Sequence, residues 1–292
     1  MIIDCHNHPD WHGHDLPRFL ANMDQHGIAV TWLLSWECPE DEYDPSYNHV
    51  IPAGPDGPIP FARVLSYVER APDRFVPGYC PDPRRPDAID RLQAAVEIYG
   101  VRICGELKLR LVYDDPDALR MYRYCGTARL PVTVHIDYEF ETGKGYPRPN
   151  WWYGGGLEAF ARALRACPET VFLGHAPGFW AHISGDDKAS KEPYPEGKVL
   201  PGGRLIDLLR SCPNLMCDIS AGSGRNALAR DKGFAQEFVL EFQDRILYGR
   251  DWFDNAHQEL LAELELPATV VEKIQSGNAS RLVPLTTRFH QV

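Results

Sequence analysis

The sequence predicts a distorted (β/α)8 TIM barrel, formed as a single domain over residues 1–292. Short, β-branched apolar runs alternate with amphipathic segments along the whole chain, and eight such pairs occur without a linker or an internal repeat. The dense apolar runs suit strands that are buried on both faces. Parallel strands joined by helices need right-handed crossovers, and eight of them close into a barrel. An open doubly wound sheet is the alternative, disfavoured because no glycine-rich phosphate loop follows a strand.

These patterns predict the following strands and helices, given in chain order. The strands are expected at residues 1–5, 29–35, 75–80, 101–109, 131–136, 170–174, 214–219 and 245–248. The helices are expected at residues 16–26, 61–70, 87–99, 116–128, 157–166, 204–211, 232–242 and 256–263. Three connections that follow strands are long (36–60, 137–156 and 176–203) and are expected to form walls or lids at the carboxyl end of the barrel, where barrel active sites lie.

Composition and charge narrow the class of protein. The net charge of −11 weighs against a nucleic-acid partner, because an acidic surface repels phosphate backbones. The eight cysteines show no CxxC pair, which favours buried thiols in a reducing compartment. No secretory signal and no run of about 18 apolar residues is visible, so a cytoplasmic protein without a membrane partner is expected. The sequence leaves a homo-oligomer open.

Metal-ligand side chains stand where predicted strands end. His6 and His8 end the first strand, and residues two apart on a strand share a face, so both imidazoles can converge on one ion. His135 ends the fifth strand, and His175 and Asp251 follow the sixth and the eighth. One such residue could be a solvated histidine or a helix cap, but that explanation does not account well for all five. Imidazole nitrogen suits zinc and related metals, so Zn²⁺ is the first expectation, with Mn or Fe as alternatives.

Several sequence stretches resemble one enzyme superfamily from end to end. The stretches are IIDCHNH, LPVTVHID, VFLGHAPG, DRILYGRDWF and KIQSGNASRLV. They resemble the amidohydrolase superfamily, and within it the amidohydrolase-related branch that also contains aminocarboxymuconate-semialdehyde decarboxylase. Arg250 stands where that branch usually has serine. In the closing stretch we expect a structural role for Asn278, as the cap of the last helix.

The resemblance implies roles for the strand-end residues. His6 and His8 would be metal ligands, and Asp251 would be both a ligand and the proton acceptor. His135 would be a ligand in a one-metal or a two-metal site. His175 would bind a second metal, or with a single metal would polarise the substrate or hold the attacking water.

The fourth strand decides between one ion and two. Glu106, Lys108 and Arg110 have the same parity on this strand and could all face the barrel interior. Two-metal members of the superfamily bridge their ions with a carboxylate from this strand. The Gly-Glu pair resembles TatD-like hydrolases, so Glu106 is the expected bridge and a carbamylated Lys108 the second choice. The other interpretation is an ion pair of Glu106 with Lys108 or Arg110 that only stiffens the barrel.

The expected reaction is hydrolysis of a lactone, an amide or a similar bond in a small, carboxylated molecule. Lys108 or Arg110 would hold the substrate carboxylate, with the pair Arg84 and Arg85 as a weaker candidate. Tryptophans would line the pocket; these are Trp32, Trp36, Trp151, Trp152, Trp180 and Trp252. The alternatives are non-oxidative decarboxylation, a TatD-like nuclease or phosphoesterase, and a barrel that has lost its metal and acts as a binding protein.

Overall fold

The described part of the protein forms an α/β barrel of parallel strands. The computed structural model describes residues 1–39, 42, 57–138 and 154–285. The strands in this part are β1 (Ile2–Asn7), β2 (Ile28–Leu34), β3 (Phe75–Gly78), β4 (Cys104–Leu107), β5 (Val132–His135), β6 (Phe172–His175), β7 (Leu215–Asp218) and β8 (Ile246–Leu247). They pair in parallel as two sheets, β1-β2-β3 and β4-β5-β6-β7-β8.

Backbone hydrogen bonds join the two sheets at both of their edges. Between β3 and β4, Gly78 and Ile103 form a parallel bridge, and the Tyr79 amide donates to the Ile103 carbonyl at 3.0 Å. Between β8 and β1, the Cys5 amide donates to the Tyr248 carbonyl at 3.0 Å. The pairing at these seams is short, which makes the barrel a distorted one. The predicted fold class is therefore confirmed.

Helices cover the strands on the outside. The long ones are α1 (Leu16–Gln25), α2 (Phe61–Arg70), α3 (Ala88–Tyr99), α4 (Pro116–Ala128), α5 (Gly156–Ala166), α7 (Arg204–Ser211), α8 (Ala221–Ala229), α9 (Lys232–Glu241) and α10 (Ala256–Glu263), and the short ones are α6 (Pro177–Trp180), α11 (Ala268–Glu272) and α12 (Asn278–Leu282). None of the described helices is both long enough and apolar enough to cross a membrane. All eight cysteines are buried and unpaired, as expected for reduced thiols.

Local signals explain where several helices begin. Asp15 and Asp115 stand before α1 and α4, where each side-chain carboxylate accepts a backbone N–H of the first turn, and a proline occupies the beginning of each helix. Asp231 also caps α9, because its side chain accepts the Phe234 N–H. The unpredicted helix α8 has two glycines and two serines in or next to it, residues with low helix propensity that conceal it in the sequence.

Two predictions about local structure were wrong. Strand β4 (Cys104–Leu107) is shorter than residues 101–109 at both ends, since Ile103 forms only an isolated bridge to Gly78. The chain leaves the sheet after Leu107, where the Trp36 Nε1–H donates to the Lys108 carbonyl at 2.8 Å, so Lys108 and Arg110 lie beyond the strand on which they were expected. Asn278 does not cap the last helix. Its buried Nδ2 donates to the carbonyls of Gln243 at 2.7 Å and Ile246 at 2.8 Å, so it ties α12 to the beginning of β8.

Candidate metal centre

The barrel brings all six expected ligand residues together at the carboxyl ends of its strands. They fall into two groups of three: His6, His8 and Asp251 form one, and Glu106, His135 and His175 form the other. Within each group every residue offers one nitrogen or oxygen atom, and these atoms lie within 4.8 Å of one another. The direct pairing of His135 with His175 in the register of β5 and β6 places the last two rings side by side.

Glu106 belongs to the second group, and its carboxylate lies between the histidines of the two groups. Its Oε2 is 3.5 Å from His8 Nε2 and 4.0 Å from His6 Nε2. Its Oε1 is 2.6 Å from His135 Nδ1 and 3.8 Å from His175 Nε2. One carboxylate oxygen therefore faces each group, and the charge of Lys108 also acts on Glu106.

Asp251 also reaches towards both groups. Its Oδ1 is 3.7 Å from His8 Nε2, and its Oδ2 is 3.8 Å from His175 Nε2. The Asp251 backbone has a φ of 49° and its amide donates to the His6 carbonyl at 2.8 Å, so the loop after β8 is attached to the end of β1. This hydrogen bond holds the first group together across the seam.

Fixed partners orient the imidazoles of β1. The Nδ1–H of His8 donates to the Leu34 carbonyl at 2.9 Å, since a carbonyl can only accept. His6 Nδ1 lies 2.5 Å from Asp218 Oδ2, so the ionised carboxylate accepts its N–H as well. Both rings then direct Nε2 towards the centre, the arrangement in which an outer acceptor orients a metal-binding histidine.

The donor set fits a divalent cation. His6 Nε2 and Asp251 Oδ1 are buried atoms without a hydrogen-bond partner among the described residues. Buried polar atoms normally have partners, and a cation between these two atoms would supply one. Four imidazoles and two carboxylates are ligands typical of zinc and of neighbouring transition metals.

Burial and mutual charge shift the pKa values of the centre. Burial raises the pKa of Asp251, and the nearby His6 and His8 offset only part of that shift. Burial alone would raise the pKa of Glu106 too, but the charge and hydrogen bond of His135 bring it well below its usual range. Burial, together with the charge on His6, lowers the pKa of His175. Glu106 is therefore ionised and His175 neutral, which are the states that bind cations. Burial opposes a charge on His6, but the charge and hydrogen bond of Asp218 raise its pKa to about 10, so His6 would have to release a proton when it binds a cation.

Sequence reasoning missed Asp218, which ends β7. It is fully buried, and its Oδ2 lies 2.5 Å from His6 Nδ1 and 3.5 Å from His175 Nδ1, one imidazole from each group. Ser220 adds a contact of 3.0 Å between its Oγ and His175 Nδ1. The signal was available, because an aspartate at the end of an apolar strand has the same position as the histidines at the other strand ends.

The expected substrate-binding cations have different surroundings. Lys108 Nζ lies 4.4 Å from the centre of the Trp36 ring, and its charge lowers the pKa values of Glu106 and Asp251, so it is close enough to act on the centre. Arg110 has buried Nε and Nη2 atoms without a hydrogen-bond partner among the described residues. Arg84 is paired with Asp82 and Glu42, and Arg85 is paired with Asp87.

The tryptophans expected to line the substrate pocket differ in exposure. Trp252 is 44% exposed beside Asp251, and its ring centroid lies 3.6 Å from that of His12. Trp180 is only 1% exposed, and its Nε1 donates to the Asp218 carbonyl at 3.0 Å, so it packs behind the centre and offers no surface to a substrate. Trp32 is fully buried in the core. Trp151 and Trp152 lie outside the described residues.

A barrel with potential metal ligands at the carboxyl ends of its strands is typical of metal-dependent enzymes. Comparison with known proteins gives the family. The family model described as Amidohydrolase matches residues 3–285. The chain therefore belongs to the amidohydrolase family. A search of curated proteins finds no significant match.

Solved structures show the same fold at low sequence identity. An uncharacterised TIM-barrel protein from Bordetella bronchiseptica aligns with a TM-score of 0.62 and 18% identity over 96% of this chain and 97% of that one. A dihydroxybenzoic acid decarboxylase from Polaromonas sp. JS666, with bound manganese and 2-nitroresorcinol, gives 0.58 and 17% over 96% of both chains. A probable 2-pyrone-4,6-dicarboxylic acid hydrolase from Acinetobacter baumannii gives 0.58 and 13% over 96% and 98%. Family membership makes the protein an enzyme of a metal-dependent class.

Proposed function

We propose that this enzyme is a two-metal hydrolase that cleaves a lactone, an amide or a similar bond of a small, carboxylated molecule. One observation carries the proposal: the two oxygens of Glu106 face different ligand groups, at 3.5 Å from His8 Nε2 and 3.8 Å from His175 Nε2. His6, His8 and Asp251 would hold one cation, His135 and His175 would hold the other, and Glu106 would bridge them. The imidazole-rich donor set makes Zn²⁺ the first candidate.

A divalent cation held by these residues would lower the pKa of a water from about 15.7 towards 7 and so supply a nucleophile at neutral pH. Asp251 is placed to accept the proton of that water, because its carboxylate lies between His8 and His175. A carboxylate within reach of the water can serve as the general base. In the balanced reaction the water oxygen bonds to the substrate carbonyl carbon, the C–O or C–N bond breaks, and Asp251 returns the proton to the leaving group.

The charge near the centre favours an anionic substrate. Lys108 lies over the Trp36 ring, and its charge acts on Glu106 and Asp251. Arg110, two residues further along the chain, has buried Nε and Nη2 atoms without a hydrogen-bond partner among the described residues. A substrate carboxylate would neutralise these cations and accept their hydrogen bonds. A cytoplasmic location, a small molecule as partner and the lack of nucleic-acid or membrane partners stay predictions, as does any homo-oligomer.

Non-oxidative decarboxylation is the second candidate. His135 Nδ1 lies 2.6 Å from Glu106 Oε1, which is hydrogen-bonding distance, and this pair would leave His6, His8 and Asp251 as the ligands of a single cation. The Polaromonas decarboxylase binds manganese in a similar fold. In this case Glu106 and His135 would act as a proton-bearing pair rather than as ligands.

Ion stoichiometry and product analysis distinguish the candidates. The purified protein would be stripped with a chelator, reloaded with Zn²⁺ or Mn²⁺, and analysed for bound metal. It would then be assayed with lactones and amides carrying a carboxylate, and with aromatic carboxylic acids for release of CO2. Two ions, hydrolysis, and loss of one ion in Glu106→Gln support the proposal. One ion that Glu106→Gln leaves in place, together with CO2 release, would replace it with the second candidate.

A further inference from the structure

Arg250 is a fully buried cation next to the metal centre, at the position where the resembling branch usually has serine. Its counter-ion is Asp4, which is also fully buried: the Arg250 Nε–H donates to Asp4 Oδ2 at 2.9 Å, and the Arg250 amide donates to Asp4 Oδ1 at 2.9 Å. The guanidinium also donates from Nη1 to Asn22 Oδ1 at 2.8 Å. Both the side chain and the backbone amide of Arg250 therefore hydrogen-bond to the Asp4 carboxylate.

The same carboxylate holds the ligand-bearing end of β1. Asp4 Oδ1 accepts the His6 amide at 3.3 Å, and Asp4 Oδ2 accepts the Asn7 Nδ2–H at 3.2 Å. Asn7 in turn donates from Nδ2 to the Trp252 carbonyl at 2.8 Å and accepts the His8 amide at 2.9 Å. Asp4 thus links the residues on both sides of Asp251 to the segment that carries His6 and His8.

A third element closes the network. Asn22 of α1 accepts from Arg250 and donates from Nδ2 to the Phe253 carbonyl at 2.7 Å. The loop after β8 is therefore held before Asp251 by Arg250 and after it by Asn7 and Asn22. Asp251 itself has a positive φ of 49°, a conformation that few non-glycine residues adopt without such support.

We propose that Arg250 is a positioning residue, which with Asp4 fixes the loop after β8 so that Asp251 reaches the cation shared with His6 and His8. Arginine suits this role, because its planar guanidinium donates to two acceptors in fixed directions, here Asp4 and Asn22. Serine is too short to reach both. The inference rests on the proposed metal centre, and it adds a determinant that touches neither the cation nor the substrate.

The test compares three variants with the wild-type protein. Arg250→Met removes the guanidinium and leaves Asp4 buried without its counter-ion. The double variant Asp4→Asn with Arg250→Met removes both charges. Arg245→Met is the matched control, because Arg245 donates from Nη1 to the carbonyls of Leu209 and Cys212 at the opposite end of β8. Each protein is stripped of metal, and its Zn²⁺ affinity by chelator competition, its Co²⁺ absorption spectrum and its thermal unfolding without metal are measured.

In Arg250→Met we expect the Zn²⁺ site of higher affinity, or the single site if there is one, to bind about 10- to 100-fold more weakly. That loss is typical when a residue that orients ligands is removed. The double variant should regain thermal stability and keep the weak affinity and the altered Co²⁺ spectrum. Arg245→Met should lose stability with unchanged affinity. Wild-type affinity in Arg250→Met, or affinity that returns together with stability in the double variant, would overturn the inference. A wild-type protein that binds no cation would instead refute the proposed function.

Discussion

Replacing Asp218 by asparagine tests how the imidazoles are oriented. Burial works against ionisation of Asp218, but the charge of His6 and the hydrogen bonds from His6 and Ser220 lower its pKa to about 2, so it is a carboxylate at neutral pH. Its Oδ1 accepts the Ser220 amide at 2.7 Å, and its Oδ2 faces His6 Nδ1 at 2.5 Å. In Asp218→Asn the amide oxygen must stay with the Ser220 N–H, and the NH2 group then faces His6.

That arrangement forces the wrong tautomer on His6. Two N–H groups cannot face each other, so the His6 proton moves to Nε2, the atom that would bind the cation. The opposite rotamer of the amide keeps the tautomer but leaves the Ser220 N–H without its partner, which costs about 1–3 kcal/mol. We expect Zn²⁺ to bind about 10- to 100-fold more weakly, a loss of about 1.4–2.7 kcal/mol.

The assay is chelator competition for Zn²⁺ at neutral pH, with circular dichroism to confirm folding. Because His175 Nδ1 also lies 3.5 Å from Asp218 Oδ2, we expect the affinities of both proposed cations to fall. Asp231→Asn is the control, because that aspartate caps α9 outside the centre. Unchanged affinity and stoichiometry in Asp218→Asn would refute the reasoning about the tautomer.

Two further substitutions and the addition of Zn²⁺ each have an expected outcome. Asp251→Asn should keep the fold and bind the first cation more weakly, and it should abolish turnover, because an amide cannot accept the proton; near-normal turnover would contradict its role. Asn278→Ala leaves the carbonyls of Gln243 and Ile246 without their donor and should cost about 1–3 kcal/mol of unfolding free energy in a denaturant titration, with the metal content unchanged. Adding Zn²⁺ at about 100 times its Kd should stabilise the apo protein by about 2.7 kcal/mol, and a melting temperature insensitive to Zn²⁺ and to chelators would argue against a cation in the folded state.

The positions of the metal ligands could be predicted because barrel geometry converts order along the chain into position in space. Each of His6, His135 and His175 ends or nearly ends an apolar run, and the carboxyl ends of all strands meet at one rim. The strand and its parity narrowed the bridging ligand to Glu106, Lys108 and Arg110, and the resemblance of the Gly-Glu pair to TatD-like hydrolases favoured Glu106, which lies between the histidines of the two groups. The beginnings of helices were predictable where a capping aspartate precedes a proline, as in α1 and α4.

The contacts that hold the ligands in place could not be predicted, because they join residues far apart in sequence whose pairing depends on the packed structure. The apolar sequences of the strands do not indicate that Asp218 contacts two histidines, or that Arg250 pairs with Asp4 across the seam. Trp180 was assigned to the pocket by residue type, whereas its burial depends on the packing of α6 against α8 and α9. Sequence patterns specify which face of a strand a side chain occupies, but not its neighbours.

The seam between β8 and β1 has a consequence for how the protein matures. His6 and His8 lie at the end of β1 and Asp251 follows β8, so the first cation would connect the first strand of the barrel to the last. Contacts of such long sequence separation form late, after the entropy of closing the loop between them has been overcome. Chains that stop before the eighth strand would lack one of its three ligands. Tight uptake of that cation would then mark the molecules that have finished folding.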